Sequence, residues 1–150
     1  EQAHADAVLA LLQHYALDPM GGGEALSSYA QKNLIAELKK RHDVLIVLAF
    51  DNERPVGLIN CFEGFSTFQA RPLMNIHDVV VDSDFRGKGL ATRMLARVEQ
   101  LAREKNCCKL TLEVLQGNEA AQAAYRKAGF SGYQLDPEMG QAMFWQKKLV

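Results

Sequence analysis

The chain has 150 residues and a formal net charge of −1, from 17 Lys and Arg against 18 Asp and Glu. That length suits one domain with a single core, residues 1–150. The charge balance argues against a generic nucleic-acid binder, which is usually basic, and against a charge-extended disordered chain. No apolar run approaches the roughly 18–20 residues of a membrane span, and no signal-peptide pattern opens the chain. The first residue is Glu1 rather than Met, so further N-terminal sequence is expected ahead of it. Three cysteines, Cys61, Cys107 and Cys108, form no even framework and no zinc spacing. Reduced thiols in a cytoplasmic protein, with no metal, are the expectation.

Residues 3–17 are predicted as a helix from the stripe Val8, Leu9, Leu11, Leu12 and Tyr15. Asp18-Pro19 and Gly21-Gly22-Gly23 end it. A second helix is predicted over 24–41, with Leu26, Ala30, Leu34 and Leu38 four apart. Val44 to Phe50 is an apolar run of strand length, closed by the turn-favouring Asp51-Asn52. The next strand, 54–63, is apolar on both faces: Val56, Leu58 and Phe62 on one, Ile59 and Cys61 on the other. Leu73 to Asp82 is a third strand. An amphipathic helix to about Glu104 follows, with Leu90, Met94, Leu95, Val98, Leu101 and Ala102 on one face. A strand is predicted over 108–115, then a helix capped by Asn118 and closed at Gly129. Met143 to Leu149 reads as a last strand and Ser131 to Leu135 as another. The order implies a mixed α/β fold around a central sheet.

Arg86-Gly87-Lys88-Gly89-Leu90-Ala91-Thr92 joins the third strand to the amphipathic helix. Glycines let the backbone approach a ligand closely, and the first N–H groups of a helix have no internal partner, so they can hold a phosphate. Between Arg86 and Lys109 seven positive residues face two negative ones, so this segment carries +5 and the rest of the chain −6. A dinucleotide fingerprint would need a third glycine, and a triphosphate loop Gly-x-x-x-x-Gly-Lys-Ser/Thr; neither pattern is met. From the glycines alone, a tight strand-to-helix connection explains the turn equally well.

The run Val79-Val80-Val81-Asp82-Ser83-Asp84-Phe85-Arg86-Gly87-Lys88-Gly89-Leu90-Ala91 resembles the cofactor motif of the GNAT superfamily of acetyl-CoA-dependent N-acetyltransferases. The core pattern, Arg/Gln-x-x-Gly-x-Gly/Ala, is met by Arg86, Gly89 and Ala91. A second block, Leu112-Glu113-Val114 with Asn118, Ala121, Tyr125 and Gly129-Phe130, also resembles that family. The resemblance implies a GNAT-like mixed central β-sheet flanked by helices, an α/β (α+β) fold. The strands ending near Val81 and Leu115 would splay into a V-shaped cleft. The family's usual first strand would precede residue 3 and is expected to be missing or truncated in these 150 residues. Pantetheine would pair with backbone near Val79 and Val81 and touch Asn118. The pyrophosphate would sit on the amides from Arg86 through Gly87, Lys88, Gly89 and Ala91 to Thr92, with the Arg86 and Lys88 charges nearby.

The same resemblance implies transfer of acetyl from acetyl-CoA to a primary amine by direct attack in a ternary complex. Tyr125 matches the tyrosine that protonates the leaving thiolate, and a phenol is a donor at neutral pH. For the base, the family often uses a glutamate on the third strand. Here that strand reads Asn75-Ile76-His77-Asp78-Val79, with Asn75, His77 and Val79 expected on one face and Asp78 on the other. His77 is the candidate, because histidine titrates near neutrality. Glu63 is the second candidate, and a water chain without a single base the third. Phe62, Phe65 and Phe68 could wall the acceptor site together with Glu63 and Asn75, although core packing explains the aromatics as well. Tyr15, Met20 and the 21–23 loop fall where the family's early helices shape acceptor entry.

The competing reading is a non-catalytic acyl-CoA sensor of the same fold. The acceptor, a small molecule or a peptide amine, is not named by these residues. The −6 outside the turn favours a cationic one, and homodimers, common in the family, are an open option. Neither nucleic acid nor membrane is an expected partner.

Overall fold

The structure is a computed structural model and describes residues 2–150. Helix α1 (Gln2–Leu17) ends at Asp18, whose side chain accepts from the Met20 N–H and caps a short 3-10 turn, Pro19–Gly21. Helix α2 (Ser28–Lys39) starts four residues later than the periodicity suggested, because Ser27 is the N-cap: its hydroxyl accepts from the Ala30 N–H. Strands β1 (Val44–Asp51), β2 (Arg54–Ser66) and β3 (Arg71–Val81) form an antiparallel meander. Helix α3 (Leu90–Glu104) returns the chain to β4 (Leu110–Leu112), which lies parallel to β3. Helix α4 (Glu119–Lys127) follows, capped by Asn118. The sheet order is β1-β2-β3-β4, a mixed four-stranded sheet as the resemblance implies.

Both faces of the sheet are covered. Ile59, Cys61, Met74 and Ile76 pack against Met94, Leu95, Val98 and Ala102 of α3. Leu58 and Val80 pack on the opposite face against Val8, Leu11 and Leu12 of α1. Adjacent residues Leu58 and Ile59 thus serve opposite cores, which is why β2 is apolar without alternation. Leu58→Ala is expected to destabilise the fold by about 2–5 kcal/mol, the usual cost of truncating a fully buried leucine. Urea denaturation reads this as a lower midpoint at unchanged slope.

Register along β3 departs from the expected alternation. Asn60 pairs with Asp78, but Cys61 pairs with Ile76, so His77 is an extra residue in a β-bulge. The bulge inverts the faces on either side of it. Met74 and Ile76 before it and Val79 and Val81 after it all lie on the α3 side. Asn75, opposite Phe62, and Asp78, opposite Asn60, lie on the α1 side. The expected sharing of one face by Asn75, His77 and Val79 is therefore corrected: Val79 is on the other face, and Asp78 joins Asn75 and His77.

The strand predicted over 108–115 is only three residues long, and the strands predicted over 131–135 and 143–149 do not form. A strand needs a ladder partner. Residues 131–150 make one bond of that kind, from the Ala142 N–H to the Tyr133 carbonyl, and Trp145 is 80 % exposed.

Candidate active site at the strand splay

Parallel pairing of β3 with β4 runs only from Met74↔Leu110 to Ile76↔Leu112. The Asn75 amide donates to the Thr111 hydroxyl at 3.0 Å across this short ladder. Beyond it, Asp78 to Val81 stays paired to β2 while Glu113 to Leu115 leaves the sheet. The bulge at His77 falls where the two strands part. This is the V-shaped opening expected between the ends near Val81 and Leu115.

Two tyrosines are packed on opposite faces of the sheet. Tyr125, in the last turn of α4, packs against the α3-side cluster and meets the Phe130 ring edge-on at 6.0 Å. Tyr15, near the end of α1, packs on the α1 side. Burial pushes the Tyr125 phenol above its ordinary value, and Tyr15 pushes it further the same way. Tyr15 is raised mainly by burial, then by the Asp78 and Asp18 carboxylates. Both phenols are therefore held in the donor form at neutral pH.

Asp78, which the sequence alone put on the opposite face from His77, lies on the same face as His77. One carboxylate oxygen accepts from the Asn60 amide at 3.0 Å. Asn60 is a buried polar residue at 3 % exposure, and its own carbonyl oxygen has no partner among the described residues. Only recognition of the bulge could have put Asp78 on this face, and nothing in Ile76-His77-Asp78-Val79 marks it. His77 is exposed and meets the Phe62 ring edge-on at 5.4 Å. On Phe62 the Arg41 guanidinium also rests, 5.3 Å from the ring centre.

The other acceptor candidates are not brought here. Glu63 lies opposite Met74, at the closed end of the β3–β4 ladder, where its carboxylate accepts from Lys105 at 3.1 Å. Phe65 and Phe68 lie at the β2–β3 hairpin, exposed at 63 % and 94 %. They are exposed because the hairpin runs past the end of both helical layers. Asn118 caps α4 through Oδ1, which accepts from the Ala121 N–H at 3.2 Å.

The turn at the open end has the features of an anion cradle. Gly87 and Gly89 both have positive φ, 72° and 78°, which side-chain-bearing residues avoid. A Cβ on either would meet nothing within 4 Å, so the space above them is open. Gly89 is the N-cap of α3 and offers no side-chain acceptor, leaving the first amides of a 15-residue helix unpaired by side chains. Lys88 rests on the Phe85 ring at 5.2 Å, near this turn. The Arg86 side chain turns the other way: Nε donates to the Val81 carbonyl at 3.3 Å and Nη2 to the Asp18 carboxylate at 3.2 Å.

Residues 8–130 match the family model described as the acetyltransferase (GNAT) family. The chain belongs to that family. An uncharacterized N-acetyltransferase of Methanocaldococcus jannaschii is 30% identical over 94 residues, which are 62% of this chain and 42% of that protein. A thialysine N-epsilon-acetyltransferase of Bos taurus is 31% identical over 74 residues, 49% of this chain and 43% of that one. The GNAT chain thus spans less than half the length of these curated relatives. Among solved structures, a probable acetyltransferase superposes with a TM-score of 0.80 at 22% identity, covering 97% of this chain and 93% of its own. An aminoglycoside acetyltransferase from an uncultured soil metagenomic sample gives 0.77 at 15% identity, with 97% and 91% covered. These likenesses establish the GNAT fold. No helix among the described residues is long and apolar enough to cross a membrane.

Proposed function

We propose that this GNAT domain transfers acetyl from acetyl-CoA to a primary amine. The observation that carries the reading is the parting of β3 from β4 beyond Ile76↔Leu112, together with a glycine turn that leaves the first amides of α3 uncapped by any side chain. The residues fit the nucleotide. The Arg86 N–H is spent on the Ser83 carbonyl, so the amides from Gly87 to Thr92 would hold the pyrophosphate, and nothing lies within 4 Å of a Cβ placed on Gly87 or Gly89. Backbone near Val79 and Val81 would hold pantetheine. The neutral amine attacks the thioester carbon, its C–N bond forms as the C–S bond breaks, and the Tyr125 hydroxyl gives its proton to the leaving thiolate. The amine's proton leaves through His77 or a water chain.

The acceptor enters from the face that carries Tyr15, Asp78 and His77. Asp78, with a second oxygen free of side-chain partners among the described residues, gives that face negative charge suited to an ammonium. Cys61 is buried, and burial pushes its thiol up to about 12, so it is not an available nucleophile at neutral pH. Three unpaired cysteines suit a reducing, cytoplasmic compartment.

Acetyl-CoA in large excess is expected to raise Tm by about 5–10 °C, while nicotinamide dinucleotides leave it unchanged. Stabilisation by dinucleotides alone would overturn the reading. Release of free thiol with a panel of amines, among them thialysine, aminoglycosides and polyamines, then identifies the acceptor. Stabilisation without thiol release for any amine would make the domain an acyl-CoA sensor instead.

A further inference from the structure

Asp18 occupies a junction that the proposed chemistry does not itself require. Its Oδ1 accepts from the Met20 N–H at 2.9 Å, and its backbone carbonyl accepts from the Gly21 and Gly23 N–H groups at 2.9 and 3.0 Å. The 18–23 loop is therefore wound around this residue. The loop also folds tightly onto the end of α1: a Cβ on Gly21 would sit 1.9 Å from the Tyr15 carbonyl oxygen. The Tyr15 hydroxyl donates to the Met20 carbonyl at 3.5 Å. Whatever shifts this loop shifts Tyr15, which packs on the α1 side of the sheet.

The other carboxylate oxygen of Asp18, Oδ2, reaches 68 residues along the chain to Arg86. Arg86 opens the cofactor turn, and its Nε is anchored to the Val81 carbonyl at the end of β3. One side-chain pair thus joins the turn that would receive acetyl-CoA to the loop that borders the acceptor face. The Arg86 guanidinium is committed to this tie, so the turn's backbone amides, rather than that side chain, are left for the phosphates.

We propose that Asp18 is a positioning residue that, through Arg86, couples occupancy of the cofactor turn to order in the 18–26 loop at the acceptor entrance. The inference rests on the turn being the acetyl-CoA site. Ordering of residues 86–92 by the ligand fixes Arg86, Arg86 holds Asp18, and Asp18 holds the loop with Tyr15. Linkage makes the effect reciprocal: an amine that orders the loop tightens acetyl-CoA binding by the same factor. Couplings between sites are commonly about 5–150-fold.

Amide hydrogen exchange of the full chain, with and without saturating acetyl-CoA, tests this. In the unaltered protein the ligand is expected to slow exchange in 86–92 and, by about fivefold or more, in 18–26. Asp18→Asn retains an oxygen that can cap Met20 but removes the charge that holds Arg86. In it, slowing is expected to persist in 86–92 and vanish in 18–26. Arg86→Gln is expected to behave alike, which guards against a local fault of the first variant. Unchanged protection of β2 and β3 amides reports that both variants are folded. A purely structural role would alter exchange equally with and without ligand, so the ligand-dependent difference is the decisive reading. Protection of 86–92 without 18–26 in the unaltered protein would overturn the coupling alone. So would slowing of 18–26 that survives Asp18→Asn. No protection of 86–92 by acetyl-CoA would overturn the acetyl-CoA reading, and the coupling with it.

Discussion

Tyr125→Phe is expected to lower kcat by about 10²–10⁴-fold, the usual contribution of a positioned acid, while the stabilisation by acetyl-CoA is retained. The ring would keep its edge-on contact with Phe130 and its place against the α3-side cluster, so packing is conserved and only the hydroxyl is lost. That hydroxyl must still carry its proton when the thiolate leaves. Burial first, and then Tyr15, shift the phenol upward from 10.0, so the proton is bound more tightly than in a free tyrosine. A raised pKa keeps the donor protonated throughout the neutral range, and loss of the donor begins only above the ordinary phenol value. Activity limited by Tyr125 should therefore show no basic limb below about pH 10. Stopped-assay measurement of thiol release against pH checks both points. An unchanged kcat in the phenylalanine variant would remove Tyr125 from the chemistry, whatever its position.

The parts legible in the sequence are those where one local rule dominates. Helix α3 was readable because Met94, Leu95, Val98 and Ala102 repeat at helical spacing, and they are its buried residues. The two apolar faces of β2 were readable because Leu58 and Ile59 both needed cover, and each found a different helix layer. The turn at Gly87 and Gly89 was readable because positive φ demands glycine. What was not legible depends on partners. The bulge at His77 is set by how β3 meets β2, and no glycine or proline announces it. It moved Asp78 onto the same face as His77, which reverses a step in the reading of the base. The Asp18–Arg86 pair spans 68 residues, and neither residue carries a local signal of the other. At the C-terminal end, residues 143–149 have strand-like composition but no ladder to join. Composition states a preference for a strand, and pairing decides it.

His77→Ala is expected to abolish the acidic limb of the kcat/KM profile for the acceptor, with a fall of about 10²–10⁴-fold at its plateau. The imidazole is exposed at the bulge, where the strands part, so solvent can carry away the proton it accepts. Its T-shaped contact with Phe62 fixes the ring without occupying both nitrogens. Asp78 is adjacent on the same face, but its role differs. One of its oxygens is held by Asn60, and its charge acts on Tyr15 across the opening. A carboxylate so placed attracts the ammonium form of the acceptor before the proton is lost. Asp78→Asn is therefore expected to raise the acceptor KM while keeping the acidic limb, since the amide fills the same space without the charge. The two variants separate binding of the cation from removal of its proton. If the limb survives in His77→Ala and disappears in Asp78→Asn, the base is the carboxylate. If it survives in both, the proton leaves through water, and the side chains of β3 serve only to hold the amine at the mouth of the splay.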